Sequence, residues 1–198
     1  MLRILHTSQD KQIQRYCTEN SIDPTSVIIF PSECQWASNR FPALFTLDGK
    51  QWNSTEQYMQ YKKCDYANIP EADRRTWQQQ ILACSTAEEA VQITRNKTFN
   101  TCQSINDLLG DTWHTEHKYS VLLAANQAKF TQNPELQAKL LATGDKHFLG
   151  IGGHCTRWAA ININGKHGEN WAGKIVMQTR EWLQAQQVAE PQSHSMLL

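Results

Sequence analysis

The chain of 198 residues has the length of one ordinary domain, enough to bury a core without metal or disulfide staples. Nineteen Lys and Arg offset nineteen Asp and Glu, and no basic block stands out, so the footprint of a protein that tracks long nucleic acid is missing. A small anionic ligand or a single flipped nucleotide fits that balance. The six cysteines (Cys17, Cys34, Cys64, Cys84, Cys102, Cys155) are widely spaced without a CxxC pair, which argues against a zinc site and a disulfide scaffold. Nowhere do eighteen apolar residues run together, and "MLRILHTSQDK" has no apolar run of signal-peptide length. The expectation is a soluble cytoplasmic protein with free thiols, no metal, no cofactor and no membrane contact.

In chain order, residues 1–26 form an N-terminal extension with a weak helix near Ser8–Glu19 and a proline turn at "SIDPTS". Val27–Phe30 is β-branched and bounded by Pro31, a strand pattern. Asp48-Gly49 inside "FPALFTLDGKQW" is a favoured two-residue hairpin turn. Helices are expected at Ser54–Asp65, Thr76–Cys84 and Ala87–Arg95, the last opened by a capping box in Ser85-Thr86-Ala87-Glu88. Asn96–Gly110 reads as a loop, Thr115–Phe130 as a helix, and Pro134–Leu141 as a short helix stopped by Gly144. "FLGIGGHC" reads as a Gly-rich turn, "RWAAININGKHG" as strand and loop, Trp171–Gln186 as the closing helix, and residues 187–198 as a disordered tail. The fold class is α+β: one mostly helical domain with a small sheet over residues 27–186.

One stretch draws attention chemically. In "STEQYMQYKK", Gln60 and Lys63 lie about 400° and 700° around a helix from Glu56, so the three share one stripe, with Tyr58 nearly opposite. An acid/base carboxylate, an amide and a potentially nucleophilic amine then converge on one pocket. Capping explains the same residues: Asn53 or Ser54 caps the helix, and Glu56 and Lys63 match the dipole at its two ends. Spacing leaves both readings open.

Seven tryptophans are many for this length, and Trp36, Trp113, Trp158 and Trp171 lie among polar residues or glycine, where a ring can stack on a base or simply pack. His114 and His117 have a metal-compatible spacing with no further ligand pair. "GIGGHC" from Gly150 fits neither dinucleotide nor Walker spacing.

Taken together, the pieces resemble the NADAR superfamily, which includes the YbiA-like N-glycosidases. The likeness runs from about Phe30 to Leu183 through Ser38-Asn39, "LDGKQW", "STEQYMQYKK", Arg95-Asn96, Trp113, "AKFTQNPELQAKLLATGD", Trp158, Asn170, Gly173 and "KIVMQTRE". It implies an enzyme that cleaves the bond between a ribose C1 and a nitrogen. The substrates would be ADP-ribosylated guanine in nucleic acid, a riboflavin-pathway intermediate or a related ribosyl nucleotide. By that resemblance Glu56 and Lys63 are catalytic, Asn39 lines the ribose pocket, Arg95 meets phosphate, Trp113 and Trp158 border the ring system, and Gln60 and Asn170 belong to the substrate site. A neutral Lys63 would attack C1 to form a Schiff base, helped by desolvation or a neighbouring cation such as Lys62, while Glu56 moves the proton. Direct hydrolysis promoted by Glu56 is the other route.

The pattern breaks after Thr143. Laid alongside without a gap, a family acid three before Trp158 falls on Cys155, a glutamate falls on Gly150, and a glycine on Ala159. A thiol, with a reference pKa near 8.5, is a poor substitute for a carboxylate that steadies positive charge. Either Asp145 or Asp111 serves instead, or Glu56 and Lys63 suffice, or the chain is a catalytically weakened module that binds ADP-ribose or NAD.

Overall fold

The structure, a computed structural model, describes residues 8–96 and 104–189. Among these residues it is mostly helical with two small pairs of strands, as the α+β pattern implies. They form two compact units, one from residues 8–37 with 136–189 and one from 38–96 with 104–135. No described helix is long and apolar enough to cross a membrane.

The first unit opens with α1 (Ser8–Glu19), whose Ile13, Tyr16 and Cys17 turn one stripe inward. Strand β1 (Val27–Phe30) pairs in parallel with β4 (His147–Gly150), Val27 opposite His147 and Phe30 opposite Gly150. The "FLGIGGHC" stretch is therefore half strand, and only Gly152 and Gly153 take the positive φ of a turn. Sequence reading saw a turn because β4 is four residues long and ends on glycine; its partner lies more than a hundred positions away. Ile29, Leu149, Ala160 and Ile161 complete a core with the α1 stripe. "RWAAININGKHG" contributes isolated bridges at Ile161 rather than a strand.

Helix α7 (Trp171–Ala189) packs on β4. It runs through residues 187–189, which the tail had been expected to include; residues 190–198 lie outside the described residues. The close approach needs Gly173, where an added Cβ would stand 2.0 Å from the Phe148 carbonyl oxygen. Asn170, at φ 56°, ties the same two segments: Nδ2 donates to Phe148 O at 2.8 Å and Oδ1 accepts from Gly150 N at 2.9 Å.

The second unit begins with the hairpin β2 (Phe45–Leu47) and β3 (Lys50–Trp52), turned by Asp48 and Gly49 at φ 52° and 69°. Helix α2 (Thr55–Tyr66) follows, packed by α3 (Glu71–Leu82), α4 (Ala87–Arg95) and α5 (Lys118–Gln132). Cys64, Ala67, Trp77, Ile81, Ala90 and Ile105 form the core between them. Helix α6 (Pro134–Leu141) runs through the chain boundary between the units.

Three boundaries differ from expectation. Helix α3 starts at Glu71 rather than Thr76: Pro70 precedes it, Glu71 and Asp73 favour its first turn, and Glu71 pairs with Arg74 and Arg75. The capping box of α4 is Thr86 with Glu89, one residue later than the Ser85–Glu88 reading. Before α5, Trp113–His117 form a π-turn instead of ordinary helix. The Asn96–Gly110 loop holds a 3₁₀ turn, Ile105–Leu108, boxed by Ser104 and Asp107; residues 97–103, with Cys102, lie outside the described residues.

Because Gly173 has no room to spare, Gly173→Ala is expected to destabilise the protein by about 1–3 kcal/mol. Lys174→Ala, at the exposed neighbouring position, should change it by less than about 0.5 kcal/mol. Chemical denaturation of the two variants checks both.

Candidate active site

Ser54 decides where α2 begins. Its Oγ accepts the Gln57 N–H at 3.1 Å, and the Gln57 Oε1 returns to the Asn53 N–H at 2.8 Å. Ser54 is thus the cap, one of the two residues the sequence allowed. The helix is polar in sequence yet buried on several sides: Thr55, Glu56, Gln57, Tyr58, Met59, Gln60, Lys63 and Cys64 are all enclosed. Capping accounts for the ends of α2, but not for burying a carboxylate, two amides and an amine. Such burial is costly unless every group finds a partner.

Partners are provided. Gln57 spends its Nε2 on the carbonyls of Ile81 and Cys84 at the end of α3, a structural use. Gln60 faces the stripe: its Oε1 accepts the Thr94 hydroxyl at 2.7 Å, which leaves its Nε2 to donate to Glu56 Oε1. Thr94, on α4 and fully buried, therefore fixes the Gln60 amide so that it presents a donor to the carboxylate. The Glu56 backbone N–H is held by the Asn39 carbonyl at 2.9 Å.

At the far end of the stripe, Lys63 is 8% exposed and its Nζ donates to Asn106 Oδ1 at 3.0 Å. Burial pulls its pKa down from 10.5 to about 8; the Glu56 carboxylate opposes that fall, and the like charges of Lys118 and Arg95 add to it. Lys62 is not the helping cation, because it is engaged by Asp65 at 3.1 Å and Asp48 at 3.5 Å. Near neutrality an appreciable fraction of Lys63 is the free amine, the form with a lone pair for a carbon electrophile. Tyr58 indeed turns away, its hydroxyl donating to Asp48 Oδ2 at 3.0 Å.

Of the other expected site residues, Arg95 closes α4, is exposed, and acts on Lys63 through its charge. Its side chain makes no hydrogen bond or ion pair among the described residues. Asn39 uses its oxygens to hold Thr55 and Glu56. Trp113 is fully buried and lies against Tyr66, ring centroids 5.2 Å apart, with Tyr66 also stacked on His117 at 4.4 Å. No group of three or more His, Cys, Asp or Glu arranged for a metal occurs among the described residues.

Trp158, Asn170, Cys155 and Gly150 belong to the first unit. Trp158 is half-buried, Cys155 is exposed, and both ends of the Asn170 amide are used on β4. Thr94, Asn106 and Lys118 escaped sequence reading. The Ser104-x-x-Asp107 capping pattern was a usable sign that Asn106 sits on a fixed turn; nothing local marked Thr94 or Lys118.

Comparison with known proteins gives this geometry its family. The NADAR domain family matches residues 20–184, and the chain belongs to it. The N-glycosidase R617 of Acanthamoeba polyphaga mimivirus is 38% identical over 77 residues, 33% of this chain and 44% of the relative. The riboflavin biosynthesis protein VVA0006 of Vibrio vulnificus (strain YJ016) is 29% identical over 148 residues, 74% of this chain and 35% of the relative. The chain thus matches less than half the length of these two relatives. The N-glycosidase YbiA of Escherichia coli (strain K12) is 26% identical over 183 residues, 91% of this chain and 94% of the relative. The NMR structure of E. coli YbiA superposes with a TM-score of 0.65 at 26% identity, over 85% of this chain and 91% of that one.

The depressed Lys63 pKa has a consequence for stability. The unfolded chain keeps its Lys63 proton to about pH 10.4, while the folded state releases it near pH 8. Between those values the unfolded state binds more protons, so stability rises with pH across the window. Lys63→Met is expected to remove that share of the slope and, from about two pKa units at 1.36 kcal/mol each, to gain about 2–3 kcal/mol at pH 7. Urea midpoints of both proteins from pH 7 to 10.5 test it.

Proposed function

We propose that the protein is an N-glycosidase that breaks the bond between a ribose C1 and a nitrogen in an ADP-ribosyl or phosphoribosyl conjugate. The observation that carries this reading is the buried Lys63 amine, its pKa pulled down to about 8, on the same helical stripe as Glu56. The names of the relatives point the same way, since R617 and YbiA are both called N-glycosidases.

The lone pair of Lys63 Nζ adds to C1 as the C1–N bond breaks, and the departing nitrogen takes up a proton. Loss of a proton from Nζ and opening of the ring, with O4 protonated, leaves a C1=N Schiff base. Glu56, oriented by Gln60 and Thr94, moves these protons and then activates the water that adds to C1 and frees the amine. Asn106 holds Nζ by one hydrogen bond and leaves its lone pair available. Arg95, without a carboxylate partner among the described residues, offers its planar fork to a substrate phosphate. Buried Trp113 supports Tyr66, and Asn170 supports β4. A carboxylate at the Cys155 position is then dispensable, because the covalent route places the cationic charge on the Lys63 nitrogen instead of on a free oxocarbenium ion. ADP-ribosylated guanine and a riboflavin-pathway intermediate are the two substrate candidates; the printed name of VVA0006 supports the second.

Incubation with ADP-ribosylated DNA and with the phosphoribosyl pyrimidine is expected to release the sugar from one of them. Glu56→Gln and Lys63→Ala should each lower kcat/KM at least about a hundredfold. Borohydride should trap the sugar on Lys63, and the rate should fall on the acid side of about pH 8, where the amine is protonated. Binding of ADP-ribose without turnover over hours would instead assign the weakened-module reading, and full activity in both variants would remove Glu56 and Lys63 from the reaction.

A further inference from the structure

The first turn of α2 is not held by the helix itself. The N–H groups there have no intrahelical carbonyl to bond, and Glu56 finds its acceptor outside, in the Asn39 carbonyl at 2.9 Å. The Thr55 hydroxyl donates to the same carbonyl at 3.0 Å and to Asn39 Oδ1 at 3.1 Å. Where Glu56 stands therefore depends on where Ser38-Asn39 stands.

Helix α5 grips that segment with two polar side chains three positions apart, hence on one face. Lys129, fully buried, donates from Nζ to Ser38 O at 3.0 Å. The same nitrogen lies 5.5 Å from the Phe41 ring centroid and 5.1 Å from that of Phe130. Asn126, also fully buried, donates from Nδ2 to Asn39 Oδ1 at 3.1 Å.

Neither residue is what stability alone would place there. Burial pulls the Lys129 pKa down from 10.5 to about 7, the mark of an amine removed from water at a cost. Asn126 Oδ1 is buried without a hydrogen-bond partner. Nor does either bond rescue an acceptor that would otherwise be orphaned. Ser38 O also takes the Phe41 N–H at 3.1 Å, and Asn39 Oδ1 takes the Thr55 hydroxyl. Methionine or leucine would fill these places without the desolvation. What the two donors add is a fixed position, through bonds to single atoms beside the carbonyl that holds Glu56.

We propose that Lys129, with Asn126 beside it, is a positioning residue for Glu56: it clamps Ser38-Asn39 to α5, and the clamped segment sets the first turn of α2. This rests on the N-glycosidase reading and adds to its machinery a residue that never touches substrate. Gln60 orients the carboxylate, and the clamp places the turn that carries it. Such placement matters because a shift of about 1 Å at a catalytic group can cost about a hundredfold in rate.

Lys129→Met separates this role from a purely structural one. The variant is expected to melt no lower than the wild type, since the two side chains are similar in volume and no acceptor is orphaned. The Glu56 amide should exchange with deuterium about tenfold faster or more, with the amides later in α2 unchanged. On ADP-ribosylated DNA or the phosphoribosyl pyrimidine, whichever the wild type cleaves, kcat should fall about tenfold to a hundredfold with KM within about twofold. Asn126→Leu should repeat the pattern at smaller size, and it serves if position 129 does not accommodate methionine. A lowered melting temperature with faster exchange throughout α2 in both variants makes the pair structural and overturns the proposal. An unmoved Glu56 amide or an unchanged kcat in a folded variant does the same. A wild type that cleaves neither conjugate overturns the N-glycosidase reading, and the Glu56 amide then decides the clamp by itself.

Discussion

The second unit is organised around the burial of a polar helix. Glu56, Gln57, Gln60 and Lys63 lie within three turns of α2, and each desolvated group needs a partner that the rest of the unit must bring to it. The end of α3 brings the Ile81 and Cys84 carbonyls to Gln57, α4 brings Thr94 to Gln60, and the boxed 3₁₀ turn brings Asn106 to Lys63. Apolar packing alone would tolerate small slides of these helices; hydrogen bonds at 2.7 to 3.1 Å to single atoms do not.

The same constraint produces the chemistry. A carboxylate that accepts from an amide locked by a third residue keeps its orientation, and an amine withdrawn from water gives up its proton more readily. Both properties are set by burial, and an exposed helix with the same sequence would have neither. Membership of the NADAR domain family fits a fold in which the acid and amine share one rigid helix, so that their separation does not depend on loop positions.

The sequence disclosed the helices unevenly, for physical reasons. Helix α1, the β2–β3 hairpin and α4 carry their own signals in a stripe, an Asp-Gly turn and a capping box, and they lie within a residue or two of where the pattern put them. The start of α3 was hidden because a proline followed by two acids reads as a loop until its pairing with Arg74 and Arg75 is seen. Strand β4 was hidden because its evidence is its partner: four residues ending in glycine acquire strand character only beside β1. At the site, Glu56, Gln60 and Lys63 were legible as a stripe, whereas Thr94, Asn106 and Lys118 come from elements whose local sequence gives no sign of what they face.

By itself the sequence determined which side chains share a face of α2, because a period of 3.6 residues is a property of the backbone. It could not determine whether that face met water or protein. The tertiary structure decided this by closing α3, α4 and α5 around α2, and with it decided that Ser54 rather than Asn53 caps the helix and that Lys118 and Arg95 rather than Lys62 act on Lys63. A pKa depends on solvent and on charges within a few ångströms in space, and only the fold assigns those.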